Sequence, residues 1–347
     1  MESPRLQHIL AQFQKQRILI VGDFFLDKYL FIDPALDEIS IETGLTAYQI
    51  VGKRSQPGAA GTVCNNLSAL GVGGMTALGF IGDDGEGYEL RQELEKRRVD
   101  TSYLILREDR FTPTYTKPMR KNPEGDVEMN RQDTKNRSPL PPELEDEIIT
   151  RLTRLAPLYH AVILLDQVQE RNCGVITDRV REAIVALADQ YPRIIFYADS
   201  REYIGLFNNV IIKPNRFEAA GALHIHPGSD IPTEEAILNA RQLQQQTGKP
   251  VFLTLDKEGI CPITEQQQTI IPCPPVTEPV DIVGAGDSVS AGIVSALASG
   301  ANEIEAAIIG NLVASITIRQ LGTTGTATQE QVREAWEKHK SLYEEFS

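Results

Sequence analysis

The sequence predicts an α/β protein: a doubly wound, mostly parallel sheet flanked by helices, carrying a small separate β unit. Three observations predict it. Apolar runs such as Ile18-Leu19-Ile20-Val21-Gly22-Asp23 and Ala161-Val162-Ile163-Leu164-Leu165-Asp166 end in Gly-Asp or Asp, as strands buried on both faces do. Helical stretches separate these runs, the arrangement that yields parallel sheets. Two further stretches, about 29–56 and 112–133, lack a helical period and consist of short β-prone pieces between turns.

In chain order, Leu6, Ile9, Leu10 and Phe13 mark an amphipathic first helix. The strand at 18–23 follows, and its end continues as Phe24-Phe25-Leu26-Asp27. Gln56-Pro57-Gly58-Ala59-Ala60-Gly61-Thr62 leads into a helix that stops at Gly71. Ala77 to Gly87 reads as strand then loop, and Tyr88 to Arg98 as a helix. The Pro-rich, charged stretch 135–147 reads as a connector. Strands at 161–166 and 194–199 flank a helix at about 174–190, so Asp166 and Asp199 both stand at strand ends. Ligand chemistry in open α/β sheets gathers at that edge. Both carboxylates are therefore candidates for a metal or substrate neighbourhood, with helix capping or ion pairing as the alternative.

Val210-Ile211-Ile212-Lys213-Pro214-Asn215-Arg216-Phe217-Glu218 is a strand running into Asn-x-x-Glu. The Glu218 carboxylate suits a hard cation such as Mg²⁺, through water, with the Asn215 amide in support. The same spacing also writes a helix capping box. His224 and His226 have no third ligand at suitable spacing and read as ordinary turn residues. Val251 to Ile260 is a strand and turn, 308–320 a helix carrying Asn311, and 329–346 an amphipathic closing helix.

Composition limits the function. With 347 residues, 41% hydrophobic and 24% charged, the chain suits a single domain, 1–347, with a sizeable core. A formal net charge of −14 argues against non-specific binding to nucleic acid or anionic membrane. Cys64, Cys173, Cys261 and Cys273 form no C-x-x-C pair and read as reduced thiols. No apolar run is long enough for a membrane span or leader, so the expected location is the cytoplasm.

The most informative stretch is Asp281-Ile282-Val283-Gly284-Ala285-Gly286-Asp287, which feeds an apolar-striped helix ending near Gly300. Two glycines around an alanine let backbone N–H groups approach an anion, and the helix start adds its positive end. Asp287 beside such a cradle can take a proton from an attacking hydroxyl while the amides hold developing charge. The alternative is an N-cap in a plain turn.

This stretch resembles the C-terminal signature of the ribokinase-like (PfkB) sugar kinases, and residues 18–324 are similar to the kinase module of bacterial heptose-7-phosphate kinases. Val283 stands where the family often has Thr. The resemblance implies Asp287 as catalytic base and the amides of Gly284, Ala285 and Gly286 as the anion hole. It implies Asp27, Gly58 and Asn66 as sugar-binding residues, although Ala59 replaces the usual second Gly and Thr62 the usual Asn. Asn215 and Glu218 match the N-x-x-E motif that organises Mg²⁺ and the phosphates. Thr254, Gly259 and Asn311 fall on the nucleotide side, with 321–325 closing an adenine pocket, and Asp281 is compatible with a K⁺ site. The two β-prone stretches, 29–56 and 112–133, match the small β-sheet lid over the sugar, whose exposed edges predict a homodimer.

The expected activity is ATP-dependent phosphorylation of a hydroxyl of a sugar or sugar phosphate, heptose-phosphate-like acceptors included. The alternatives are a nucleoside kinase of the same fold and a non-catalytic sugar- or nucleotide-binding regulator. Heptose-kinase relatives often carry a nucleotidyltransferase module after the kinase; with the sequence ending at Ser347, the expectation is that this second activity is not encoded.

Overall fold

The computed structural model describes residues 1–225 and 230–346, so His226 lies outside the described residues. The chain runs α1 (Ser3–Gln12), β1 (Arg17–Gly22), β2 (Phe24–Ile32), β3 (Glu38–Ile39), β4 (Thr46–Ala47), β5 (Ile50–Ala59), α2 (Ala60–Ala69), β6 (Gly74–Gly82), α3 (Gly85–Lys96) and β7 (Val99–Arg107). It continues through β8 (Thr114–Arg120), β9 (Val127–Glu128), β10 (Gln132–Thr134), α4 (Pro142–Leu155), β11 (Ala161–Asp166), α5 (Asp178–Gln190), β12 (Ile195–Ser200) and β13 (Ile211–Ile212). It closes with α6 (Arg216–Ala222), α7 (Thr233–Thr247), β14 (Val251–Thr254), β15 (Ile260–Ile263), α8 (Ala285–Ala298), α9 (Glu303–Thr317) and α10 (Gln329–His339).

The large sheet has eight strands in the order β15-β14-β13-β12-β11-β1-β6-β7. All pair in parallel except β15, which turns back along β14. From β1 the chain winds outward through β6 and β7, then returns to build the other half from β11. The winding direction thus reverses between β1 and β11, which makes their C-terminal ends the topological switch point where ligand crevices open. Side chains alternate across the sheet with period two. Ile18 and Ile20 face one core with α1, α2, α8 and α9, while Leu19 and Val21 face the other with α4, α5 and α7.

The small sheet orders its strands β10-β8-β2-β5, with β9 beside β8. β2 pairs antiparallel with β5 and parallel with β8. Its strands begin at Phe24 and reach Ala59 and Thr134, wider than the stretches 29–56 and 112–133 read from the sequence. Only Asp23 separates the last residue of β1 from the first of β2.

Two helices depart from the sequence reading. Part of the stretch read as a connector belongs to α4, which starts with Pro at its first turn and buries Leu144, Ile148, Leu152 and Leu155. α7 buries Ala236, Ala240 and Leu243 in a segment with no assigned element. All four cysteines are free. None of the described helices is long and apolar enough to cross a membrane.

Candidate active site

The turn before α8 forms because Gly284, its N-cap, takes a left-handed conformation (φ 79°, ψ 5°) that a Cβ would strain. A Cβ there would also lie 3.2 Å from the methyls of Thr62 and Thr324. The Ala285 N–H, expected in the anion hole, instead donates to Ile282 O at 3.1 Å and closes the turn. Gly286 and Asp287 keep the unpaired N–H groups of a helix start. No side chain caps α8, so Asp287 is not an N-cap. Burial pushes its carboxyl up to about 7, the neighbouring Asp199 adds to this, and Lys213 and Arg201 oppose it.

Behind this turn stands a buried polar cluster in which the sequence reading named Asp199 as a candidate but missed Lys213. Lys213, just after β13, places Nζ 3.0 Å from Asp199 Oδ2 at the end of β12, and both side chains are buried. Ser290 Oγ, one turn into α8 from Asp287, donates to the same Asp199 oxygen at 3.0 Å. Tyr197 OH donates to Ser290 Oγ at 3.3 Å. Lys213 Nζ lies only 3.6 Å from where a Cβ on Gly286 would sit, so a cation is fixed against the turn with the free amides. Burial alone would lower the ammonium's pKa, but Asp199, Tyr197 and Glu218 hold it above its ordinary value.

On the small sheet, Asp27 is buried on β2 and its Oδ1 lies 3.3 Å from Lys117 Nζ. Its Oδ2 lies 3.0 Å from where a Cβ on Gly58 would sit, so the glycine on β5 makes room for the carboxylate. Ala59, where the resembled signature has glycine, sits at φ 51°, ψ −119°. Asn66 is fully buried within α2, where its Nδ2 donates to Thr62 O at 3.0 Å and its Oδ1 has no partner.

The nucleotide-side residues divide. Asn215 and Glu218 form a complete capping box: Asn215 Oδ1 accepts from the amides of Phe217 and Glu218, and Glu218 Oε2 accepts from Asn215 N at 2.8 Å. The helix start therefore occupies the Asn215 oxygen and one oxygen of Glu218. Burial pushes the Glu218 carboxyl up to about 7 against the nearby Lys213. Thr254 is half-buried at the end of β14, its hydroxyl 3.4 Å from Pro214 O. Gly259 (φ 108°) serves a tight turn in which a Cβ would collide with Ile271 O. Asn311 is buried on α9 and donates to Ile271 O at 2.8 Å, so it braces the fold and is not open to a base. Asp281 accepts from Val283 N and Gly322 N at 3.1 and 3.0 Å.

Beside the switch point a cavity of about 160 Å³ opens between the two sheets. Its walls include Tyr115, Arg131, Lys135, Gln167 and Arg201. The Arg131 guanidinium stacks 4.1 Å over the Tyr115 ring while paired with Asp133. Arg201 Nε donates to Gln167 Oε1 at 3.0 Å. Tyr115 is the register partner of Asp27, and the Arg201 charge acts on Tyr115, Glu218 and Asp287 alike. Tyr115 and Arg201 thus link the cavity wall to Asp27 by strand pairing and to Asp287 by charge. Asp166, a sequence candidate for metal or substrate, is instead held by Ser200 Oγ at 2.7 Å and Arg181 Nη2 at 3.4 Å.

A model of the pfkB family of carbohydrate kinases matches residues 32–330. The bifunctional protein HldE of Aliarcobacter butzleri is 30% identical over 331 residues, 94% of this chain and 66% of that protein. HldE of Helicobacter acinonychis is 28% identical over 320 residues, 91% of this chain and 65% of that protein. The chain thus spans slightly less than two thirds of these relatives' length. Among solved structures, Escherichia coli phosphofructokinase-2 in complex with potassium superposes with TM-score 0.73 at 16% identity, covering 94% of this chain and 99% of that one. Arabidopsis thaliana ribokinase complexed with ribose and ATP gives TM-score 0.67 at 15% identity, covering 92% and 98%. The structural likeness fixes the fold, and with the family match spanning most of its length, the chain belongs to the PfkB family of carbohydrate kinases.

Proposed function

We propose that the protein transfers the γ-phosphoryl group of ATP to a hydroxyl of a sugar phosphate, with Asp287 as general base. The observation that carries this is the convergence of Asp287, the free Gly286 and Asp287 amides and the Lys213 ammonium on one turn. A carboxylate there accepts the hydroxyl proton, and the amides and ammonium stabilise charge on the transferred group. Asp27 orients sugar hydroxyls from the small sheet, with 29–56 and 112–133 acting as the lid that keeps out water. Lys135 and Arg201, with the Asp133-paired Arg131, stand in a cavity wall that also holds Asp23 and Glu170, and these cations support an acceptor that already carries a phosphate. Similarity to HldE proteins supports a heptose-phosphate-like acceptor.

Exposed Val280, Ile282, Val283 and Leu321 flank the turn and offer the adenine an apolar surface. No group of three or more candidate metal ligands occurs among the described residues, which suits an Mg²⁺ carried mainly by phosphates and water. Glu218, through its oxygen outside the capping box, would hold that shell through water, and the ion would neutralise phosphate charge. Each Asp281 oxygen accepts one backbone N–H and keeps a second lone pair, so Asp281 would still be able to ligate K⁺. A cytoplasmic enzyme, dimeric through the lid, completes the reading.

The test is phosphoryl transfer from ATP across a panel of sugars, five- to seven-carbon sugar monophosphates and nucleosides. At least one sugar monophosphate should turn over with kcat/KM well above its unphosphorylated counterpart. Turnover confined to nucleosides, or none at all with ATP bound, would overturn the reading.

A further inference from the structure

We infer that Asp23 and Asp166 are positioning residues that build two adjoining stretches of the acceptor cavity's wall, one carboxylate for each. The inference rests on reading that cavity as the acceptor site. Both residues stand at the switch point, Asp23 after β1 and Asp166 at the end of β11, on strands that pair Gly22 with Leu165.

Asp23 is buried, and three backbone amides surround its carboxylate. Oδ2 accepts from Gln167 N at 2.9 Å and Val168 N at 3.0 Å, and Oδ1 accepts from Val175 N at 2.7 Å. The three donors bracket both ends of segment 167–175, which supplies Gln167, Gln169 and Cys173 to the cavity wall. The approach is so close that a Cβ on Gly174 would lie 2.7 Å from Oδ1. With three of its acceptor sites committed to backbone amides, Asp23, itself part of the lining, serves first to shape the wall.

Asp166 does the same for the adjoining stretch of wall, its register partner being Ser200. Its carboxylate holds Ser200 Oγ and Arg181, its carbonyl accepts from Arg201 N at 3.2 Å, and Ser200 Oγ in turn accepts from Tyr203 N at 3.0 Å. This sets the 200–203 turn that carries Arg201. The Arg201–Gln167 bond then ties the two stretches together. The hydrogen bonds of both carboxylates go to residues of the cavity wall and to Arg181 and Ser200, none to the turn at Gly284, so the frame bears first on the acceptor.

Asp23→Asn is the direct test, because an amide offers one acceptor oxygen and turns an NH₂ toward N–H donors. Amide hydrogen exchange at Gln167, Val168 and Val175 should accelerate while β1 and β11 stay protected. KM for the sugar monophosphate that wild type turns over best should rise at least tenfold, with the ATP dissociation constant within twofold of wild type. Ser200→Ala, which removes one Asp166 partner, should raise the same KM by a smaller factor, and it keeps the test open if Asp23→Asn fails to fold. An acceptor KM within twofold of wild type in the folded variants, or equal losses in ATP and acceptor affinity, would overturn the inference alone. A wild-type protein that binds ATP but phosphorylates no panel member would instead overturn the proposed function, and the inference with it.

Discussion

Lys213 Nζ lies 3.0 Å from the Asp199 carboxylate, two buried opposite charges meeting under the glycine turn that starts α8. Breaking such a pair from one side leaves an uncompensated buried charge, which costs about 3–5 kcal/mol. Lys213→Met should therefore destabilise strongly and weaken ATP binding, as read by thermal melts and calorimetric titration. Adding Asp199→Asn should recover most of the stability but not the ATP affinity. A double variant that binds ATP like wild type would remove Lys213 from the phosphate site.

Asp287→Asn should abolish most turnover and leave ATP binding and folding nearly intact. Losing a general base costs roughly 10²–10⁴ in rate. ATP affinity should hold or rise, since a negative charge near the phosphates is removed. Turnover near wild type would exclude Asp287 as the base.

The Asp287 carboxyl, raised by burial to about 7, must be ionised to act, so kcat/KM should climb with pH and level off above about 7. Stability moves the other way. The folded protein holds this proton more tightly than the unfolded chain, whose carboxyl titrates near about 4. The contribution is fully present below about 4 and is lost as pH rises through about 7. Melting temperatures of wild type and Asp287→Asn across pH 5 to 8 should diverge in that sense, with the variant less sensitive to pH.

Ala59 occupies a backbone region (φ 51°, ψ −119°) that side chains rarely adopt. Relief of such strain is worth about 1–3 kcal/mol, offset by about 0.5–1 kcal/mol for glycine's extra freedom in the unfolded chain. Ala59→Gly should raise Tm by about 2 °C. A lower Tm would show that the Ala59 methyl contributes more by packing than its conformation costs.

Ile39, Ile41 and Leu45, in and around the β3–β4 hairpin, are 66%, 102% and 70% exposed. Sedimentation should find a dimer, and Ile41→Lys with Leu45→Lys should give a monomer. A wild-type monomer at micromolar concentration would rule out the lid as a subunit interface.

The sequence made some features plain and hid others for physical reasons. β1, β11 and β12 were legible because strands covered on both faces write continuous apolar runs. The turn at Gly284 was legible because only glycine suits its conformation. Lys213 and Arg201 carry no local mark, since their place depends on pairing with Asp199 and Gln167. Asn66 and Asn311 look like ligands beside a glycine motif or on a nucleotide-side helix, yet their amides satisfy buried carbonyls of Thr62 and Ile271. α4 was obscured by the charges at its start, although Pro142 at its first turn is itself a helix signal.

The parallel pairing of β2 with β8 joins Leu26 to Thr114, with β6, α3 and β7 between them in the chain. On a ribosome, β2 and β5 emerge long before the strand that must lie beside them. Until then their hairpin has an open edge carrying the apolar Leu26, Leu30 and Ile32, a template for pairing with another nascent chain. Completing the small sheet therefore waits on closure of a long loop, an entropic cost that the β2–β5 hairpin alone does not carry.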